Sequence, residues 1–469
     1  MTTTSPLELP VLKLSDNKLK NKITSRLSCL ALGESHCEHL REVFVQEMAR
    51  GLEGNAAEPS SLFMEDTFLP DLPNGTEHGE YLALDLGGTN LRVLLVTVKE
   101  GQVTDEILEY YAVPENIRYG HGTELFDFLA SSVKTFLQKR SLMDNTYNLG
   151  FSFSFPIHHN NLRSGVLIKW SKSYNCRGVV GQDTVKLLEE AMERVQLKNV
   201  NIVAILNDTT GTMIRGAYLD RQCAMGLVLG TGSNCCYVEK PENFKKKKAC
   251  TGKDKLIGNS NLKVVNVEWG AFGDNGVLNF MRTQWDISVD RASLLAGSFT
   301  FEKYFGGKCL GDLVRECLVT LAEEGLFCTG PSETLRTNGS LHTSLVSQLD
   351  GEGLIGATTQ TDTILKNLGL CYTEKDLKIA QYVAGMFSYR GVVLISVLTA
   401  TLLQKMERPH VVIAIDGSLY EFHPRFRPLM THLMTQMAPD HTFEMRLSRD
   451  GSGKGAALVA AIATRCAQA

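Results

Sequence analysis

An α/β protein built from two lobes is predicted by three observations. Strand-like apolar runs alternate with helix-like segments along the whole chain. Apolar hairpins bent by glycine-rich turns occur twice, at Gly87 and at Gly230. The chain has 469 residues, more than a single hydrophobic core usually organises.

Residues 15–52 carry apolar side chains at helical spacing and are expected to form a helix. Residues 55–80, rich in Pro, Gly and Asn, read as a loop. A strand at 81–86 enters the turn Gly87-Gly88-Thr89-Asn90 and returns as a strand at 91–98. A helix is expected at 123–140 and a strand at 147–155. Helix 183–196 precedes strand 200–206, and another helix is expected from Thr212. The hairpin pattern returns over 225–238 around Gly230-Thr231-Gly232-Ser233-Asn234. A third turn of this kind, Asp416-Gly417-Ser418, ends a strand at 411–415. Asp450-Gly451-Ser452-Gly453 opens a closing helix at 454–465. The apolar run 391–403 is too short to span a bilayer and contains Ser396, Thr399 and Thr401, which predicts a buried helix.

Composition excludes several classes. Apolar residues make up 43% and charged residues 21%, as in ordinary globular proteins, and the net charge of −4 offers no excess of cations for a nucleic-acid partner. The one dense basic run, Lys245 to Lys248, lies among Pro241, Asn243 and Gly252 and reads as a solvated loop. Twelve cysteines, Cys29, Cys250 and Cys466 among them, are scattered with no CxxC pair, which predicts reduced thiols in a cytoplasmic protein. The first residues lack a basic stretch followed by an apolar one, so neither a secretory leader nor a membrane anchor is expected.

The turns point to phosphate. A polyphosphate needs backbone N–H groups in a concave bend and residues without a Cβ for close approach. Gly87-Gly88-Thr89 and Gly230-Thr231-Gly232 meet that need, with the hydroxyls of Thr89, Thr231 and Ser233 as further donors. Neither is a dinucleotide fingerprint, because each leads into another strand. GSGKGA near the C-terminus is not a P-loop either, since its Lys is followed by Gly455, yet it offers helix N–H groups to an anion. Asp85, beside the first turn, suits water bound to Mg2+.

Asp208 ends the apolar strand 201–206, where a base for an attacking alcohol would be placed. Ser154, Lys172 and Glu268 supply donors and acceptors for adjacent sugar hydroxyls, and a carboxylate among apolar neighbours such as those of Glu268 requires polar partners.

Together the segments LALDLGGTNLRVLLV, GFSFSFP, LNDTTGTMIRGAY, GLVLGTGSNCCYVE, NVEWGAFGD, DGSLYEFHP and DGSGKGAALVA resemble hexokinase over residues 17–466. The resemblance implies one unit of the two-lobed actin-like ATPase (ribonuclease H-like) fold with an interlobe cleft. It implies a helical segment at 16–66 packed on the large lobe, a small lobe at 67–207 joined by the helix 449–466, and a large lobe at 208–448. It implies transfer of the ATP γ-phosphoryl group, with Mg2+ carried by ATP, to the 6-hydroxyl of glucose and, with it, mannose and fructose, by a monomer. By that likeness Asp208 is the base. Ser154, Ser171, Lys172, Asn207, Asp208, Asn234, Glu268 and Glu302 contact the hexose. Asp85, Gly87, Gly88, Thr89, Asn90, Gly230, Thr231, Gly232, Asp416, Gly417, Ser418, Gly451 and Ser452 lie along the nucleotide.

Two positions and one short stretch depart from the family pattern. Ser171 stands where Thr is usual, which keeps the hydroxyl. Phe299 stands where a Gln amide usually bonds the sugar; the ring either turns outward or leaves a sugar hydroxyl unpaired. The stretch Gly307-Lys308-Cys309-Leu310 also differs from the usual Met-Tyr pair. Altered hexose selectivity is expected, and a sugar sensor with weak or no kinase activity is the alternative.

Overall fold

The computed structural model describes residues 5, 7–54, 58–88, 90–246 and 263–468. Its strands are β1 (Glu65–Asp66), β2 (Gly79–Leu86), β3 (Asn90–Lys99), β4 (Gln102–Ala112), β5 (Tyr147–Phe153), β6 (Ile157–Asn161), β7 (Ser164–Leu167) and β8 (Val200–Leu206), followed by β9 (Cys223–Leu229), β10 (Ser233–Glu239), β11 (Lys263–Asn266), β12 (His410–Asp416) and β13 (Thr442–Leu447). They form a first sheet of order β4-β3-β2-β5-β8, a second of order β1-β11-β10-β9-β12-β13, and the separate hairpin β6-β7. The sheets share a plan. In each, an antiparallel hairpin, β2-β3 or β9-β10, borders parallel strands, β5 and β8 or β12 and β13. This is the two-lobed α/β arrangement expected.

Alternation along β2 explains how one strand serves two cores. Leu82, Leu84 and Leu86 enter an outer core with Leu125, Phe126 and Phe151. Tyr81 and Ala83 face the opposite core, which runs on through the second sheet. Asp85 shares that second face, and the face carries it toward the closing helix. Helix Gly451–Gln468 packs on β2, β5 and β8, helix Asp208–Leu219 packs on β9 and β12, and the two helices cross between the sheets. At the crossing a Cβ on Gly455 would lie 1.9 Å from Gly211 O, so only glycine permits this approach.

Several expectations need correction. The single helix 15–52 is two, Asn17–Leu27 and Glu34–Glu53, separated by a short 3-10 turn and by Gly33 in extended backbone. The break lets Ile23 and Leu27 from one helix and Phe44 and Met48 from the other meet the same core. The helix expected from Thr212 begins at Asp208, because the polar run before it is an N-cap and first turn rather than a loop. Asp416-Gly417-Ser418 leads into the helix Ser418–Phe422 and not into a returning strand. β4 went unnoticed, since most of its side chains are exposed or half-buried and its apolar signal is weak.

The run 391–403 falls inside Glu374–Lys405, a helix of 32 residues long and apolar enough to cross a membrane, yet almost wholly buried in this chain. Ser388, Ser396, Thr399 and Thr401 hydroxyls bond carbonyls one turn back, and Arg390 pairs with Asp286. The four hydroxyls and both terminal nitrogens of Arg390 are thus satisfied inside the core. Every described cysteine is unpaired, whereas Cys250, Lys247 and Lys248 lie outside the described residues.

Candidate active site

A cleft of about 510 Å³ opens where the carboxyl ends of strands from both sheets meet. Asp85 and Gly87 come from the end of β2, Ser154 follows β5, and Asn207 and Asp208 follow β8. From the second sheet, Gly230 ends β9 and Asp416 ends β12.

One end of the cleft is a polar network. Asn207 caps helix Asp208–Leu219, its side-chain oxygen accepting Thr209 N–H at 2.9 Å. Its amide donates to Glu268 Oε1 at 3.1 Å, and the same oxygen accepts from Asn234 at 2.9 Å and from Asn266 at 2.8 Å. Three amides thereby orient one carboxyl group. Glu268 lies just past the strand rather than within it. It follows β11 with φ of 55°, and this left-handed bend turns the side chain from the sheet toward the amides. Burial pushes its pKa up to about 8, the Asp208 carboxylate adding to the rise against the Asn266 hydrogen bond.

Asp208 sits in the first turn of its helix, where Oδ1 accepts Thr209 N–H at 2.9 Å and Oδ2 lies 3.1 Å from Lys172 Nζ. Glu302 Oε2 accepts Ser233 N–H at 3.1 Å, and burial raises its pKa. Gly232 makes room for that carboxylate, because a Cβ there would fall 2.3 Å from Glu302 Oε2.

The other end is acidic and bent by glycine. Arg92 Nη1 donates to Asp85 Oδ2 at 2.9 Å, and Ser452 Oγ donates to the same oxygen at 2.8 Å. Asp85 Oδ1 is buried and has no hydrogen-bond partner among the described residues. Asp416 accepts Gly451 N–H at 3.1 Å; burial pushes its pKa up to about 6, with Asp85 and Asp450 contributing against Arg92. A carboxylate oxygen left unpaired among like charges fits a hydrated divalent cation arriving with its nucleotide.

The structure brings Asp85, Gly87, Gly88, Ser154, Ser171, Lys172, Asn207, Asp208, Asn234, Glu268 and Glu302 to this one cleft, together with Gly230, Thr231, Gly232, Asp416, Gly417, Ser418 and Ser452. Asn90 and Gly451 are set beside the wall: Asn90 O accepts Gly87 N–H, and Gly451 N–H is taken by Asp416 and Ser448 O. Thr89 lies outside the described residues. Phe299 does not turn outward. It is 4% exposed and lines the cleft.

Arg92 and Asn266 were missed. The hairpin register pairs Asp85 with Arg92, a partner that counting back from the Gly turn would have found. Asn266 stands two residues before Glu268, but their contact depends on the left-handed bend at Glu268, which no spacing rule for extended chain would have found.

Two sheets of one plan, glycine turns at their strand ends and a carboxylate-lined cleft between define a protein of the actin-like ATPase class. Within that class the chain belongs to the hexokinase family: family profiles described as hexokinase match residues 22–218 and 224–462. It is 41% identical to human hexokinase-3 over 429 residues, 90% of this chain and 45% of that protein. To rat hexokinase-1 it is 36% identical over 453 residues, 95% of this chain and 48% of the other. The chain spans about half the length of the curated relatives it matches. A solved structure, hexokinase from Schistosoma mansoni complexed with glucose, superposes with a TM-score of 0.89 at 36% identity, covering 96% of this chain and 100% of that one.

Proposed function

We propose that the chain is an ATP-dependent hexokinase that phosphorylates the 6-hydroxyl of glucose and related hexoses, mannose and fructose among them. The observation that carries this reading is the position of Asp208 between the Glu268 amide network and the Asp85–Asp416 glycine turns. A glucose-complexed relative that matches over its full length supports the sugar class.

The hexose lies against Ser154, Ser171, Lys172, Asn207, Asn234, Glu268 and Glu302, with its 6-hydroxyl toward Asp208. Asp208 removes the hydroxyl proton as the oxygen attacks the γ-phosphorus, and the bond from that phosphorus to the bridging oxygen breaks, its electron pair leaving with ADP. Gly87, Gly88, Gly230, Thr231 and Gly232 bring backbone close to the phosphates, while Gly417, Ser418 and Ser452 line the nucleotide. Mg2+ bound with ATP would be held through water by Asp85 and supplies charge neutralisation on the phosphates. Lobe closure excludes water as a competing nucleophile. The protein acts as a cytoplasmic monomer.

A coupled assay for glucose 6-phosphate tests the reading. Asp208→Ala should abolish turnover with glucose binding retained; near-normal turnover in that variant rejects the assignment. A second reading rests on Phe299, whose ring offers no hydrogen bond in the sugar wall. On that reading the chain is a sugar sensor, and the wild-type protein would bind glucose and yield no product.

A further inference from the structure

Lys169 follows β7 on the side of the first sheet. Its neighbour Trp170 is buried in the outer core of that sheet, 4.8 Å between ring centroids from Phe155, and Ile168 N–H bonds Pro156 O at 3.0 Å. The backbone here therefore moves with the first sheet. The side chain reaches the other way. Its Nζ lies 3.0 Å from Asp274 Oδ2, 4.5 Å from the centroid of the Phe299 ring and 5.7 Å from that of Phe63. All three partners belong to the side of the second sheet: Phe63 leads into β1, Asp274 follows the turn after β11, and Phe299 precedes the short helix Thr300–Lys303 that bears Glu302.

Asp274 is itself fixed by the sugar wall. Its Oδ1 accepts both the N–H and the hydroxyl of Thr300 at 2.9 Å, and its Oδ2 accepts Phe299 N–H at 3.1 Å. The carboxylate that receives Lys169 is thus the one that holds the left-handed backbone of Phe299, φ 58°, and the start of the helix carrying Glu302. A second tie lies alongside, where Lys308 Nζ donates to Lys172 O across the same cleft.

We propose that Lys169 is a positioning residue of the reaction: bridging to Asp274 between two aromatic rings, it ties the first sheet to the sugar wall and favours the closed cleft. This rests on the reading of the cleft as a hexokinase site. It also gives Phe299 a role that a Gln cannot fill, because the face of a ring attracts an ammonium and an amide does not. The pair is partly solvated, with side chains 32% and 17% exposed, so the bridge is of moderate strength. A bias of that size moves a closing equilibrium by about three- to tenfold.

The test compares wild type with Lys169→Met, Lys169→Arg and Phe63→Leu, by glucose titration of tryptophan fluorescence and by small-angle scattering with and without glucose. Lys169→Met should weaken glucose binding about three- to tenfold and enlarge the radius of gyration at subsaturating glucose, with kcat at saturation within about twofold of wild type. Lys169→Arg, which keeps the charge and stacks on aromatic faces, should restore both. Phe63→Leu should weaken binding in the same direction and by less. Unchanged affinity and dimensions in Lys169→Met, or an Arg variant as impaired as the Met variant, would overturn the proposal. The scattering and titration need no turnover, so they report on the bridge even if the wild-type protein makes no glucose 6-phosphate.

Discussion

Lys172 Nζ lies 3.1 Å from Asp208 Oδ2, so the carboxylate proposed as the base is paired with a cation from the segment that follows β7. Both side chains are largely buried, 14% and 9% exposed, which keeps the pair from being dissolved by solvent. Lys172 also stands over the Phe155 ring at 5.8 Å, inside the aromatic cluster of the first sheet. We expect Lys172→Met to lower kcat/KM for glucose by about 10²-fold, since on the proposed reading it removes a sugar contact and lets the base wander from its attack geometry. Steady-state kinetics at fixed ATP-Mg measures this. A variant within twofold of wild type would show that the pair has no part in the reaction.

The Glu268 carboxyl sets a pH dependence of stability. Its pKa in the folded protein is near 8, above the ordinary value of 4.5 for the unfolded chain. Below 4.5 the group is protonated in both states and exerts no effect. Between 4.5 and 8 the unfolded chain gives up the proton while the folded protein keeps it, so stability falls as pH rises and levels off above 8. Glu268→Gln retains the oxygen that accepts from Asn207, Asn234 and Asn266 and removes the titration. Its melting temperature relative to wild type should therefore climb by a few degrees from pH 5 to pH 8, as followed by calorimetry. A constant difference across that range would contradict the placement of the carboxyl in its amide cage.

Phe299→Gln sets two effects against each other. A restored amide that bonds a sugar hydroxyl is worth about 1–3 kcal/mol, whereas the lost cation–π contact with Lys169 is worth about 0.5–1 kcal/mol at a partly exposed site. The first outweighs the second. Glucose kcat/KM should rise about tenfold, and discrimination against the deoxy sugar lacking the facing hydroxyl should rise with it. A panel of monodeoxyglucoses provides the measurement, and a fall in glucose kcat/KM would place the ring away from the bound sugar.

How much of this was legible in the sequence follows from what each signal depends on. Gly87, Gly230 and Asp208 could be read because local chemistry constrains them: a bend without Cβ atoms, a carboxylate closing an apolar strand. The resemblance then added Asn234 and Glu302, which no spacing rule joins to Asp208. The left-handed bend at Glu268 could not be read, because it arises from the three amides that meet it, and those lie up to 61 positions away in the chain. The start of the helix at Asp208 was hidden by the polar run Asn207-Asp208-Thr209-Thr210, whose capping role shows only when the backbone is folded. Lys169 carried no motif at all. Its meaning rests wholly on Asp274, Phe299 and Phe63 arriving from the opposite sheet.

The helix crossing between the sheets gives the last expectation. Helices Asp208–Leu219 and Gly451–Gln468 carry, at their first turns, Asp208 and Ser452, one facing each end of the cleft. Their spacing is set by backbone on backbone, for a Cβ at Gly455 would stand 1.9 Å from Gly211 O and 2.3 Å from its carbonyl carbon. Neither atom can rotate away, so Gly455→Ala must push the helices apart. Overpacking of this kind commonly costs about 1–3 kcal/mol, and rigid backbone on both sides puts the upper end in play. The helix propensity gained by Ala, about 1 kcal/mol, is too small to offset it. Gly455→Ala should therefore melt several degrees below wild type and lose kcat as well, because the shift misaligns Ser452 and Asp85 with Asp208. Gly339→Ala, whose Cβ would meet no described residue beyond its chain neighbours within 4 Å but whose φ is 76°, is the control, and its strain should lower the melting temperature without touching kcat. A Gly455→Ala enzyme with wild-type kcat and melting temperature would mean that the helices do not meet as described.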